Sequence, residues 1–203
     1  MLFYDSPNPA PNPRRVRIFA AEKGVELPSR TISIPDREQK SDEYLRINPR
    51  GQTPALELDD GTVIAESVAI MRYLEALHPD PPMFGTSPEE IAAIEMWCRR
   101  VEMIAMSPVG QVWIHTHPFT AKVPIRNSDW GETNRPLVEA AYRFFDQSLD
   151  GREFLASDSF TAADILLLTT YDFSEFVGCG PPEDCSNLRE WHARVSARPS
   201  AKA

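Results

Sequence analysis

Between Pro79 and Pro88 the chain carries Pro79, Pro81, Pro82, Gly85 and Pro88 within ten residues. Proline fixes φ and has no backbone N–H to give, so neither a regular helix nor a central strand passes through such a segment. It therefore reads as a linker, with a boundary expected near Met83, a first domain over 1–80 and a second over 87–203. The patterning on its two sides differs, and that difference decides the fold class.

On the N-terminal side, short apolar runs alternate with helical spacing. Met1 to Tyr4 reads as a strand, followed by a proline-rich loop from Asp5 to Pro11. Asn12 offers an N-cap with Pro13 in the first helical position, Val16, Phe19 and Ala20 share one helix face, and Gly24 closes the C-terminus. Arg30 to Ile34 alternates as a second strand, and Ser41 to Ile47 suits a short helix that stops before Asn48-Pro49. Ala55–Leu58 and Thr62–Ala65 flank Asp59-Asp60-Gly61, a strong hairpin signal because glycine readily adopts the positive φ of a tight reversal. Ser67 then serves as N-cap for a helix carrying Ile70, Met71, Leu74 and Leu77, which His78-Pro79 ends. The order is β-α-β-α-β-β-α.

Beyond the linker every periodic stretch is helical. Ile91, Ile94, Trp97, Val101 and Ile104 fit a long helix that opens at Ser87-Pro88-Glu89-Glu90, with acids at its positive end. Leu137, Ala141, Phe144 and Leu149 mark a second, Thr161 to about Val177 a third, and Leu188, Trp191 and Val195 a fourth ending at Arg198-Pro199. Thr161 at the N-cap, Asp164 three residues on, and Phe160 against Ile165 form a capping box with a hydrophobic staple.

Composition narrows the partners. Thirty acidic against 21 basic side chains give a net charge of −9, a field that repels phosphate backbones and argues against nucleic acid. Nineteen prolines and nine glycines in 203 residues stay below the ~25–30% that marks low-complexity disorder. Three cysteines, Cys98, Cys179 and Cys185, make no disulfide framework and suit a reducing compartment, so the cytoplasm is expected. No basic leader precedes Met1-Leu2-Phe3, and no apolar run approaches membrane-spanning length.

Four stretches together carry a resemblance: Gly51-Gln52-Thr53-Pro54-Ala55-Leu56, Glu66-Ser67-Val68-Ala69-Ile70 with Tyr73-Leu74, the Thr161 capping box, and Arg198-Pro199-Ser200. In their order and spacing, over essentially the whole chain, they resemble the cytosolic glutathione S-transferases. The resemblance implies an α/β thioredoxin-like N-terminal domain, an all-α C-terminal domain, a homodimer, and glutathione as co-substrate. It also implies a detoxifying conjugation of the glutathione thiolate to a hydrophobic electrophile. Glutathione presents two carboxylates, an ammonium, amides and a thiol. Glu66 is placed to accept from the ammonium, and the Ser67 hydroxyl and helix start to hold the γ-glutamyl carboxylate. Thr53 before a cis Pro54 pairs its backbone with the cysteinyl unit as an added strand, and Lys40 and Gln52 fall where relatives contact the glycyl carboxylate. Taken one at a time, Glu66-Ser67 also reads as an ordinary helix cap, Pro54 as a trans proline entering a strand, and Lys40 as a solvated lysine.

The chain departs from the family at the position that activates the thiol. Where relatives carry Ser or Cys before the first helix, this sequence has Ala10 and Pro13, and Ser6 lies four residues further upstream. Asn12 and the helix start remain as donors to a thiolate. The loop Asp5-Ser6-Pro7 through Pro11-Asn12-Pro13-Arg14-Arg15-Val16-Arg17 resembles a bacterial and fungal subgroup lacking the usual Tyr, Ser or Cys, in which a water held by C-terminal-domain side chains is the thiol base. His115, after the long helix in Trp113-Ile114-His115-Thr116-His117, matches that subgroup's histidine, with His117 as a second candidate. Each also reads as a half-buried structural histidine. The two histidines lack a third ligand, so no metal site is expected. Trp113, Phe119 and Trp130 are candidates to meet the electrophile between the domains. A peroxidase or isomerase using glutathione, and a non-catalytic binding module on the same scaffold, are the alternatives. Disulfide exchange is disfavoured because no cysteine stands at Ala10 or Pro13.

Overall fold

Leu2–Asp5 forms β1, the strand on which the first half is assembled. In the computed structural model, which describes all 203 residues, β1 pairs in parallel with β2 (Ser29–Thr31) and antiparallel with β3 (Ala55–Glu57), and β3 pairs antiparallel with β4 (Val63–Ala65). The sheet order is β2-β1-β3-β4, with Phe3 opposite Leu56 and Leu56 opposite Ile64. Side chains alternate faces along a strand. Tyr4 accordingly belongs to the cluster of Ile32, Tyr44 and Ala55 on one side. Phe3 faces the other way and is equally buried, as are Val16, Ile18 and Phe19 of α1 (Pro11–Glu22) and Ile70, Met71 and Leu74 of α3 (Ser67–Leu77), two helices that pack on one another. Tyr44 comes from the short α2 (Asp42–Ile47), capped by Ser41, and meets Tyr4 edge-on at 5.8 Å. The reversal between β3 and β4 uses Gly61 at φ +83° as the left-handed residue of a three-residue loop.

Three local expectations are corrected. Asn12 is not the N-cap: Pro11, whose ring pre-sets a helical φ, starts α1 one residue earlier, Ala10 occupies the cap, and Asn12 is the second helical residue. The second strand ends at Thr31, because Ser33 Oγ donates to Asp36 Oδ2 (2.6 Å) and Arg37 N–H to the Ile34 carbonyl, turning the chain. Ser67 likewise lies inside α3, with Glu66 at the cap.

Contacts divide the chain into Met1–Met83 with Pro199–Ala203, and Phe84–Arg198. The final five residues thus belong with the first unit rather than with the helices expected to run to 203. There Arg14 donates to the Ala201 carbonyl (3.0 Å) and Ser200 bonds Glu22.

The second unit is all helical but has more helices than the periodicity suggested. α4 (Pro88–Arg100), capped by the Ser87–Glu90 box, runs into a π-helical stretch, Val101–Met106, and then α5 (Ser107–Thr116). A proline within a helix has no N–H to donate and crowds the carbonyl four residues back. The wider π turn precedes Pro108, and Ser107 N–H reaches Glu102 five residues back. α6 (Ser128–Thr133) is short and polar, and α7 (Arg135–Ser148) and α9 (Ser186–Ser196) flank α8 (Ala162–Val177), buried along almost its whole length. No helix is long and apolar enough to cross a membrane.

The start of α8 is fixed by the fully buried Asp164. Its Oδ2 accepts from Thr161 N–H (3.0 Å) and Thr161 Oγ1 (3.1 Å), and its Oδ1 from Leu155 N–H (2.9 Å) and Trp191 Nε1 (3.0 Å). Burial pushes this carboxyl up, and the four donors oppose that push. One side chain thereby ties the 155 loop, α8 and α9 together. Asp164→Ala strands these donors in a dry interior and is expected to cost about 3–5 kcal/mol, read as a lower midpoint in urea unfolding.

Candidate functional site

In the first unit the loop before β3 is held from beneath. The Gln52 carbonyl accepts two hydrogen bonds, from Tyr44 Oη (2.8 Å) and Asn48 Nδ2 (2.7 Å). Burial raises the Tyr44 phenol to about 12, so it stays protonated and remains a donor. Gly51 sits at φ +57°, where a Cβ would lie 2.7 Å from the Gln39 carbonyl and 2.8 Å from Lys40 Nζ. Lys40 Nζ donates to the Arg50 carbonyl at 3.0 Å. The Thr53–Pro54 bond is cis, as the family resemblance implied.

Thr53 is anchored through Ser6. The Ser6 hydroxyl donates to the Ile32 carbonyl (3.1 Å) and bonds Thr53 Oγ1 (2.9 Å), with no solvent exposure. A hydroxyl so committed is a loop fastener, which accounts for Ser6 without a catalytic role.

Glu66 caps α3 at φ +71°, a left-handed value few non-glycine residues adopt. Its carboxylate faces solvent, one oxygen 3.9 Å from Arg50 Nε, and Arg50 Nε donates to Gln52 Oε1 (3.1 Å). Ser67 is buried, and the Arg15 guanidinium, also buried, approaches its hydroxyl at 3.4 Å. Arg50 therefore links three of the expected residues, Lys40, Gln52 and Glu66, and Thr53-Pro54 follows Gln52 directly in the chain.

The start of α1 has an unusual donor count. The first-turn N–H groups of a helix have no intrahelical acceptor, but Pro11 and Pro13 have no N–H at all, so Asn12 supplies the only one among the first three helical residues. No acid stands in that first turn to neutralise the positive end of the dipole.

In the second unit, His115 lies within the last turn of α5 rather than after it, and is 7% exposed. Its Nδ1 accepts from Asn127 N–H at 3.0 Å, which leaves the proton of the neutral ring on Nε2. Arg126 beside it caps α5 by donating to the Thr116 (2.6 Å) and His117 (2.8 Å) carbonyls. Gly131 lets α6 approach, since a Cβ there would fall 2.4 Å from Thr116 Cγ2 and 2.9 Å from His115 Cβ. His117 accepts from Phe119 N–H (3.2 Å), and burial, with Arg126 nearby, lowers its pKa. The ring of Trp113 meets His117 (4.5 Å), Phe173 (5.4 Å), Phe176 (5.7 Å) and Phe119 (5.9 Å). Trp130 is not part of that group; its Nε1 donates to Gln111. The three cysteines all lie in this unit, and burial raises the Cys179 thiol to about 11, away from reactivity.

Sequence reading missed Tyr44, Asn48, Arg50 and Arg15. The first three stand just before Gly51 in the motif that was noticed, and a loop that must hold an extended ligand needs its own carbonyls satisfied from behind.

A sheet ordered β2-β1-β3-β4, a cis proline before β3 and a following helical unit define a thioredoxin-like domain joined to an all-α domain. Two family models match, the glutathione S-transferase N-terminal domain over residues 10–77 and the glutathione S-transferase C-terminal domain over 114–199. Glutathione S-transferase 2 of Saccharomyces cerevisiae is 37% identical over 206 residues, covering all of this chain and 88% of its own. Among solved structures, yeast Gtt2 superposes with a TM-score of 0.94 at 37% identity over 100% of this chain and 99% of its own. A glutathione S-transferase domain-containing protein of Marinobacter aquaeolei gives 0.93 at 35% over 98% and 99%. The chain belongs to the glutathione S-transferase family. It is a glutathione transferase, with glutathione as its co-substrate.

Gly51→Ala is expected to cost about 1–3 kcal/mol from the strained φ and the contact with the Gln39 carbonyl. Because the shift falls on the Gln52 loop, calorimetric titration should also show weaker glutathione binding.

Proposed function

We propose that the protein joins the glutathione sulfur to a hydrophobic electrophile as a cytoplasmic homodimer with a detoxifying role, and that the thiol is activated without a protein hydroxyl or thiol. Glu66 takes the α-ammonium, Ser67 and the start of α3 the γ-glutamyl carboxylate, Thr53 beside cis Pro54 the cysteinyl backbone, and Lys40 and Gln52 the glycyl carboxylate. The observation that carries the reading is the Gln52–Thr53–Pro54 loop, fastened at its carbonyl and at Ser6, next to a Glu66 whose carboxylate is open to solvent.

The reaction requires the thiol proton to leave before the sulfur attacks, forming the carbon–sulfur bond. Asn12 favours the thiolate through the one free N–H of the first turn of α1 and its side-chain amide, at the positive end of the dipole. His115 is a positioning residue: with Nδ1 engaged by Asn127, its Nε2–H donates to a water, whose lone pair is then turned to receive the thiol proton. The ring thus orients the base and is not itself the base. Trp113, Phe119, Phe173 and Phe176 offer the apolar faces that suit an aromatic electrophile; Trp130 is left out of this set.

An activated aryl chloride, followed by thioether absorbance, tests the chemistry. His115→Ala is expected to lower kcat at least about tenfold with the KM for glutathione unchanged, and His115→Gln, which keeps a donor and an acceptor, to recover part of the loss. An unchanged kcat in His115→Ala removes the histidine from the mechanism.

A further inference from the structure

Arg50 has no part in the expected glutathione site, yet it touches most of it. Its carbonyl accepts from Lys40, its Nε donates to Gln52 Oε1 at 3.1 Å, and the same nitrogen stands 3.9 Å from Glu66 Oε1. The guanidinium is 70% exposed, so it is open to a ligand arriving from solvent.

The chemistry of the ligand makes this position informative. Glutathione carries two carboxylates and one ammonium, a net negative charge, and approaches a chain of net charge −9. The overall field opposes entry, and a local cation must supply the attraction. Lys40 already gives one hydrogen bond to a backbone carbonyl and offers only a point charge, whereas a guanidinium presents two parallel donors matched to a carboxylate.

We infer that Arg50 is a further glutathione-binding residue, resting on Gln52 and Glu66 in the free protein and taking the glycyl carboxylate in the complex; this rests on the glutathione reading of Gln52 and Glu66. Binding is a charge exchange. The α-ammonium replaces the guanidinium at Glu66, and the released guanidinium receives the ligand's opposite end. One exposed ion pair, of a kind that contributes little, opens, and two ligand charges become paired. The device selects for a zwitterionic ligand with both ends present.

The test crosses protein and ligand changes: wild type, Arg50→Ala and Arg50→Lys are titrated calorimetrically with glutathione and with its glycyl monoethyl ester, which removes only that carboxylate. Loss of a charge-assisted bidentate contact is expected to weaken glutathione binding about tenfold in Arg50→Ala, and the ester should bind wild type weaker than glutathione by the same factor of about ten. Arg50→Ala and wild type should then bind the ester alike, and Arg50→Lys should fall between them for glutathione. The inference is overturned if the two losses multiply, or if Arg50→Ala binds glutathione as well as or better than wild type, which would make Arg50 only a competitor for Glu66. Wild type that binds neither compound overturns the glutathione reading itself, and the two failures are thereby told apart.

Discussion

The Gln52 carbonyl, accepting from both Tyr44 and Asn48, is the constraint on which the first unit's site depends. An extended loop that presents its edge to a ligand cannot satisfy its polar groups by pairing with a neighbouring strand, so the satisfaction comes from behind. α2 supplies that support: Tyr44 sits in the apolar cluster with Tyr4 and Ile32, and Asn48 ends the helix one turn later. Packing of the sheet face and presentation of Thr53 are therefore one arrangement. Ser6, at the end of β1, completes it from the other side by holding the Thr53 hydroxyl.

The missing hydroxyl before α1 is compensated by the make-up of the helix start. Pro11 and Pro13 remove two N–H groups and bring a rigid, acid-free first turn, which leaves Asn12 as its donor. In the second unit, His115 is oriented by Asn127 and kept close by Gly131, while Arg126 holds the end of α5. Each device fixes an orientation rather than adding a reactive group, the same logic by which Asp164 fixes the start of α8 without taking part in chemistry.

The fold was legible in the sequence where local signals were strong. The Asp59-Asp60-Gly61 reversal, the Ser41 cap, the Thr161 box and the stop at His78-Pro79 all appear where their residues imply. It was less legible where two readings of the same residues compete. Pro11 and Pro13 both suit a helix start, and the earlier one prevails, moving Asn12 inside. Pro108 reads as a helix end, yet the π turn before it lets the helical path continue to His115. α6 has no apolar stripe to betray it, and its place against α5 depends on a single glycine. Of the site, the motif residues Gln52, Thr53, Pro54, Glu66 and Ser67 were visible through resemblance. Tyr44, Asn48 and Arg50 were not, because their contribution is a hydrogen bond to a neighbour that only the folded loop creates.

The central claim is that the bound thiol is activated by the start of α1 and an oriented water in place of a protein hydroxyl. An ultraviolet titration of the glutathione complex, following thiolate absorbance against pH beside free glutathione, tests it most directly. The account predicts a bound thiol pKa at least about one unit below that of a free thiol, ~8.5 for cysteine, and a shift back toward the free value in Asn12→Pro, which removes the remaining first-turn N–H. A bound thiol that titrates with the free one, under saturating glutathione, would contradict it.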